Sequence, residues 1–551
     1  MPVVTFSYED FLRLLGHRIE KEDFINKIPY IGCEIERVEG DEISIEVFPN
    51  RPDLCSVEGI VRASRAFFDI EHGVKKYEVE ESSITTFVEP SVKEVRPYIA
   101  TALIKNVNLD ERAITALMDL QEKLHYGLGR NRKKAAIGVH DFDVVKAPFT
   151  YKAVLPKSIK FIPLGCMEEM DLEEVLRKHP KGIEYGHLLR SKDKFPIILD
   201  SNQNVLSFPP IINGSLTEVT VQTKNIFVEV TGTDIETVKT TLCIVATALA
   251  ERGGKICLTI VKDGEKTYKY PDLSTTEKSI SVKYASSILG VELNAREIKK
   301  CLARMGYDII DVKENVVKVG IPPWRADILH EIDLVEDIAI GFGFDRFVPS
   351  QPRSMTHGKA FNGAKLVENI RLIMIGLGFN EVLTFSLSNK KDEIDKMGFE
   401  KGEAVIIENP ISEEYTCLRQ SLLPSIMKVL SRNKHHPLPQ KVFEIGYVVN
   451  NEARNELHLA AVKMDAKANF SECKSIVESI LKGIGLEAEI EVGSNPAFIE
   501  GRTANLLYRG NLLGTFGEIH PRTIQAFGLE YPIIGLEMNL EVLRENLHRS
   551  L

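Results

Sequence analysis

The chain has 551 residues, 44% of them hydrophobic and 27% charged, with a formal net charge of −10. Its length exceeds what one core organises and predicts roughly three to four domains in a folded protein of ordinary composition. No apolar run approaches the ~20 residues of a membrane span, and the acid-bearing start "MPVVTFSYEDFLRLLG" lacks the basic end of a secretory signal, so a cytoplasmic protein is expected.

The first 85 residues predict an α/β unit. A strand at "VVTF" leads into a helix opened by "SYED", where Ser7 and Asp10 have capping-box spacing. The alternating strand "EISIEVF" follows, then "PNRPDL" (49–54) and the helix "SVEGIVRASRAFF" with Ser56 as N-cap. The polar, aperiodic stretch 77–95 predicts a linker. Strands and helices then mix from 96 to 260. The basic "GRNRKK" (Arg130, Arg132, Lys133, Lys134) could steer phosphates or be a solvated helix end. A Thr/Val/Ile-rich run at 205–234 predicts sheet. Residues 271–347 carry two amphipathic helices, "SVKYASSILG" and "NAREIKKCLARMGYDI", ahead of a strand and an acidic helix. The remainder, 355–551, alternates helices with strands around a mostly antiparallel sheet, so the fold class is α+β and multidomain.

The acidic helix raises a question of charge. "WRADILHEIDLVEDIAIGFGF" (324–344) holds five acidic side chains within eleven residues. A helix starting near His330, after Pro322 and Pro323, puts Ile332, Val335, Ala339 and Phe342 on a core-facing stripe. Asp333, Glu336 and Asp337 then crowd another face, and Asp327 can join from the loop. Like charges at that spacing repel by roughly 0.2–0.5 kcal/mol per pair. Two remedies fit, Arg or Lys partners on a solvated face or a hard cation among carboxylate oxygens.

Cysteines stand singly at 33, 55, 166, 243, 257, 301, 417 and 473, with no C-x-x-C pair, which excludes a zinc finger or disulfide framework and fits a reducing compartment. The mildly acidic balance leaves nucleic-acid binding to local basic patches.

"FPNRPDLCSVEGIVRA", "IPPWRADILHEIDLVEDIAIGFGFDRF" and "NPISEEYTCLRQSLLPSIMKVLSRNKHHPLPQKVFEIGYVV" resemble the β subunit of phenylalanine–tRNA ligase, in its shorter archaeal/eukaryotic form. The resemblance runs in order over nearly the whole chain. It implies an N-terminal α/β domain at 1–85, an editing-type domain at 96–260, a small α+β domain with the acidic helix at 271–347, and a class II synthetase-like core at 355–551. It further implies an α-subunit partner in an α₂β₂ assembly, tRNA-Phe as the nucleic acid, and Mg²⁺ at Asp327, Asp333, Glu336 and Asp337 near the α contact.

ATP binding in class II cores rests on arginines, whose planar fork matches phosphate. Here the region of the third signature motif reads "GLEMNLEVL" (535–543), with no arginine before Arg544, so the core is expected to be a platform while α performs ligation. "SEEYTCLRQSLLP", with Arg419, is either α interface or ordinary capping and core.

The resemblance assigns 96–260 the hydrolysis of tyrosine misattached to tRNA-Phe. A pocket fitted to phenylalanine can reject an added hydroxyl only weakly, by about 100-fold in comparable cases, so a second sieve that hydrogen-bonds the hydroxyl is needed. Glu229 or Asp234 could accept that hydroxyl, and Ser207, Asn213, Thr231 and Thr233 could hold the ester or a water. His140, beside Asp141, is a candidate for water or tRNA-end contact or an ordinary satisfied histidine. With no Ser-His-Asp set visible, an oriented water rather than a covalent nucleophile is expected. The competing functions are a free-standing trans-editing deacylase and, last, a metal-dependent phosphoryl-transfer enzyme, which lacks a Walker-type loop.

Overall fold

The opening strand Val3–Ser7 pairs antiparallel with Glu42–Val47, which lies between it and Cys33–Glu39. The computed structural model describes residues 2–351, 356–361 and 363–543, and Arg544 lies outside them. Ser7 caps the helix Tyr8–Leu15 by accepting from Asp10 N at 3.2 Å. The Asp10 carboxylate does not return to the cap; it pairs with Arg13 and Arg252. Ser56 caps Val57–Phe67 as its position predicts.

That helix is buried almost all round, Glu58, Arg62 and Ser64 included. It packs against Tyr8–Leu15 on one side and against the helix Ile235–Glu251 on another. Charged side chains lock the second contact: Arg252 Nε donates to Glu58 at 2.6 Å, Arg62 Nη1 to Thr247 at 2.7 Å and Arg65 Nη1 to Glu251 at 2.5 Å. One hydrophobic cluster accordingly runs from Val4 to Tyr270 and takes in Trp324 and Ile340.

The stretch expected as a linker is woven into two sheets. Val79–Glu80 forms the edge of a five-stranded sheet whose order continues Lys255–Cys257, Tyr98–Lys105, Ile226–Gly232, Ala135–Asp141. Thr85–Val88 sits inside a seven-stranded sheet, parallel to both Phe149–Val154 and Thr259–Asp263. Its two buried residues, Thr86 and Val88, are too few to stand out as alternation among the surrounding glutamates and serines. Ile235–Glu251 packs across Tyr98–Lys105 and Ile226–Gly232.

Residues 276–342 form a separate cluster: a sheet of Thr276–Ser281, Val316–Ile321 and Asp308–Lys313 with three helices, Val282–Leu289, Ala295–Arg304 and Glu331–Phe342. The last begins where the prolines predict, with His330 as N-cap. Its buried stripe is shifted from the expected one. Leu334 and Ile338 join Val335, Ala339 and Phe342 inside, whereas Ile332 is 41% exposed.

All of this belongs to one unit, Met1–Gln351; the second is Pro352–Leu551. The second unit is built on a seven-stranded sheet, antiparallel throughout except for the edge strand Asn380–Glu381. Successive residues of Asn455–Met464 feed opposite faces. Leu459 and Ala461 pack with the helices Ala364–Gly376 and Phe470–Gly483, while Ala460 and Val462 pack with Leu423–Arg432. Arg419 is buried and paired with Glu444 at 2.8 Å. The architecture is α+β, with several sheets. No helix among the described residues is long and apolar enough to cross a membrane.

A Cβ at Gly59 would lie 1.9 Å from the Asp53 carbonyl oxygen, in backbone that cannot give way cheaply. Gly59→Ala is expected to destabilise the Met1–Gln351 unit by about 3 kcal/mol, read as a lower urea midpoint of its unfolding transition. An unchanged midpoint would refute the tight seat.

Candidate functional site

The strand Ile226–Gly232 runs between Tyr98–Lys105 and Ala135–Asp141, and its register sets Glu229 opposite Thr101 on one side and Gly138 on the other. A Cβ at 138 would stand 2.3 Å from Glu229 Oε1 and 2.7 Å from His140 Nε2. Glycine at this position is therefore what lets the carboxylate and the imidazole share one side of the sheet.

Glu229 is 2% exposed. Its Oε1 accepts from the Ser207 hydroxyl at 2.8 Å, and its Oε2 has no hydrogen-bond partner. His140 Nδ1 lies 2.8 Å from Thr217 Oγ1, which itself donates to Gly214 O at 3.3 Å. His140 Nε2 faces Glu229 Oε1 at 3.9 Å, likewise without a hydrogen-bond partner. Glu229, Ser207 and Asn213 line a cavity of about 320 Å³ whose apolar wall includes Ile114, Met118, Val139, Phe208 and Ile211. Asn213 donates to Val139 O at 3.3 Å.

The other three residues singled out in this block stand elsewhere. Thr231 is taken up by Arg96, whose Nε and Nη2 donate to its hydroxyl and carbonyl at 2.9 and 2.6 Å. Thr233 is exposed and donates to Lys133 O. Asp234 caps the helix Ile235–Glu251, accepting from Thr237 N at 2.9 Å, and those bonds hold its carboxyl below the usual range. A side chain committed to a helix start does not reach the cavity.

Sequence reasoning missed Gly138, Gln121 and the inward role of Arg132. Gln121 lines the cavity with an unpartnered buried Nε2. Arg132 turns in because Arg130, Asn131 and Arg132 all hold positive φ, 47°, 52° and 64°. Its guanidinium stacks 4.3 Å over the Tyr185 ring and donates to Ile211 O and Glu122. Glu122 is pulled down to about 2, first by the His125 hydrogen bond and then, against burial, by Arg132. Arg130 and Lys133 stay exposed, so the basic cluster is divided between surface and cavity. Three consecutive left-handed residues that are not glycine carry no composition signal.

The acidic helix solves its charge problem within the chain. Arg325 grips Asp327 with Nε and Nη2 at 2.8 and 2.7 Å and Asp337 with Nη1 at 2.8 Å. The Tyr307 hydroxyl adds a short hydrogen bond to Asp337. Asp333 accepts from Leu329 N and His330 N and so closes the helix start. Glu336 alone of the four carboxylates has no such bond, and its pKa is raised by burial and then by the charges of Asp337, Asp327 and Asp333, against Arg325. Asp327, Glu336 and Asp337 border a cavity of about 220 Å³. Among the described residues no three His, Cys, Asp or Glu side chains converge as metal ligands. As placed, the four carboxylates do not fit a ready-made ion site, because an arginine and a helix start already occupy three of them.

Comparison with known proteins gives these placements a context. Residues 349–540 match the family model for the phenylalanyl tRNA synthetase beta chain CLM domain, 278–344 that for the tRNA synthetase B5 domain, and 91–249 that for the B3/4 domain. The chain is 44% identical to the phenylalanine–tRNA ligase beta subunit of Methanosarcina barkeri, over 98% of this chain and 99% of that one. It is 42% identical to the corresponding subunit of Archaeoglobus fulgidus, over 98% of each. The crystal structure of an N-terminal fragment of the phenylalanyl-tRNA synthetase beta subunit from Pyrococcus horikoshii superimposes with a TM-score of 0.60 at 40% identity, covering 62% of this chain and 99% of the fragment.

Removing Arg325 would strand the buried Asp337 charge. Arg325→Ala is expected to cost about 3–5 kcal/mol, and adding Asp337→Asn should return part of that loss in urea unfolding. A loss below about 1 kcal/mol would mean that the pair is solvated.

Proposed function

This chain belongs to the phenylalanine–tRNA ligase β subunits, and from that we propose that it works with an α subunit in the ATP-dependent attachment of phenylalanine to tRNA-Phe and hydrolyses tyrosine misattached to that tRNA. The modules are 1–85, 96–260, 271–347 and 355–551, with the strands Val79–Glu80 and Thr85–Val88 contributed to the sheets of the second, in an α₂β₂ assembly in the cytoplasm. The last module is a class II-like platform; its largely antiparallel seven-stranded sheet supports that reading, and the arginine-free stretch 535–543 supports leaving ligation to α.

The observation that carries the editing reading is Glu229 Oε2, a buried acceptor without a partner beside an apolar cavity. A tyrosyl ring enters between Met118, Val139 and Phe208, and its hydroxyl donates to Glu229. A phenylalanyl ring leaves that oxygen unpaired, a difference of about 1–3 kcal/mol, roughly 10- to 100-fold. Ser207 holds the carboxylate, and His140 Nε2 faces it across 3.9 Å, so both secure the hydroxyl end of the ring. Attack of a water on the ester carbonyl, at the other end of the substrate, breaks the bond to the ribose oxygen, which leaves with the proton that the water gives up. Asn213 faces the same cavity and is placed to hold the ester. Thr231, Thr233 and Asp234 act outside the pocket.

Mg²⁺ at Asp327, Asp333, Glu336 and Asp337 is proposed for the assembled complex alone. Carboxylate chemistry suits the ion, and the unpartnered Glu336 supports it, but Arg325 must release Asp327 and Asp337 or α must add ligands. Mg²⁺ titration should give no saturable site on the isolated chain and one on the complex. Saturable binding to the chain alone would remove the need for the partner.

Charging of tRNA-Phe is expected from the mixture of α and this chain and from neither alone. Full charging by α alone would overturn the subunit role and favour the free-standing deacylase. In the complex, Glu229→Ala should lower hydrolysis of tyrosyl-tRNA-Phe by at least tenfold and leave phenylalanine charging within twofold. Gly138→Ala should act in the same direction by displacing Glu229 and His140. Unchanged hydrolysis in both variants would place the editing site elsewhere.

A further inference from the structure

The sheet of the Pro352–Leu551 unit carries a second cavity, of about 310 Å³, on the face that also bears Ala460 and Val462. Met397, Phe399, Phe498 and Leu512 supply apolar wall, and among the described residues no lysine or arginine lines it. Glu537 lies at its base with both oxygens satisfied. Leu422 N and His458 Nδ1 meet Oε1 at 3.0 and 2.7 Å, and Ser421 Oγ and Leu423 N meet Oε2. The two asparagines on the wall are also engaged: Asn495 accepts from Ala497 N, and Asn539 donates to Glu456.

Glu393 is different. It is 6% exposed, its Oε2 accepts from Gln420 N and Ser421 N at 3.1 and 3.3 Å, and its Oε1 has no hydrogen-bond partner. Burial drives this carboxyl up to about 7; Ser388 and the two N–H groups oppose the rise and the Glu537 charge adds to it. Burial pulls His458 down, but the hydrogen bond and charge of Glu537, with Glu456 behind, carry it above the ordinary histidine value. The His458 ring is thus flanked by two carboxylates, Glu537 at Nδ1 and Glu456 3.5 Å from Nε2, and Glu393 is a further acid on the same wall.

An orphaned buried acceptor is costly to a fold, and no described residue makes a hydrogen bond to Glu393 Oε1. Among the described residues no arginine or lysine lines the wall, and its one basic side chain, His458, already faces Glu537 and Glu456, which leaves no free cation to anchor a phosphate or a carboxylate. We propose that this cavity binds a small organic ammonium, an apolar body bearing a primary amine and no carboxylate, whose N–H donates to Glu393 Oε1. The apolar body lies against Met397, Phe399 and Phe498. This site is independent of the editing cavity and of the acidic helix.

The test titrates the full-length chain, labelled at its methionine methyl groups, with 2-phenylethylamine, 3-phenylpropionate and L-phenylalanine. The Met397 resonance is identified by its loss in Met397→Leu. 2-Phenylethylamine is expected to shift Met397 saturably, while the two carboxylates leave it in place at the same concentration. Glu393→Gln, checked for an unchanged melting profile, should weaken the amine at least tenfold. Equal shifts by all three compounds, no shift of Met397 by the amine, or undiminished binding by a folded Glu393→Gln would overturn the proposal. Should that variant fail to fold, the selectivity of the unaltered chain still decides.

Discussion

Charge buried along one helix holds the Met1–Gln351 unit together. Val57–Phe67 lies inside the unit with Glu58 and Arg62 on it, and neither could remain there unpaired. Their partners, Arg252 and Thr247, come from nearly two hundred residues further along. Nearby, Arg51 pairs with Asp53 at 2.8 Å, and the Arg62 guanidinium stacks 4.4 Å over Trp324. Apolar contact supplies the bulk of the burial, but it is non-directional. These pairs set which surfaces meet, so that the N-terminal sheet, the Ile235–Glu251 helix and the Trp324 loop share a core.

The cavity around Glu229 depends on that arrangement through strand register. Glu229 alternates inward only because Ile226–Gly232 is held on both edges. A slip of one residue would turn it to the other face. The pocket is therefore defined as much by a missing side chain at 138 as by the ones present. Selectivity in such a site comes from leaving one acceptor incomplete until the correct ligand arrives.

Local features of the chain were legible and cross-chain ones were not. Ser7 and Ser56 cap helices where their side chains announce them. Glu229, Ser207 and Asn213 stand out as polar groups in one β-rich run, and they line one cavity. Thr231 misled because its partner, Arg96, is 135 positions away. Asp234 misled in the opposite sense: its role as a cap was readable from its place before a helix, and that role removes it from the pocket. Arg325 stood two residues from Asp327 in plain view, yet a bidentate grip is a matter of backbone turn rather than of spacing. The strand Thr85–Val88 was lost because four residues between polar neighbours show too little period.

That short strand governs the order in which the chain can assemble. It pairs in parallel with Phe149–Val154 and with Thr259–Asp263, so its second edge waits for more than a hundred and seventy further residues. Arg252, the partner of Asp10 and Glu58, arrives equally late. During synthesis the N-terminal segment therefore leaves the ribosome with Glu58 unmatched and a strand edge open, and its native core closes only when residues beyond 260 have followed. High sequence separation of this kind slows folding and exposes intermediates to aggregation. A nascent chain stopped before Arg252 lacks both the partner of Glu58 and the second neighbour of that strand, and is not a finished domain.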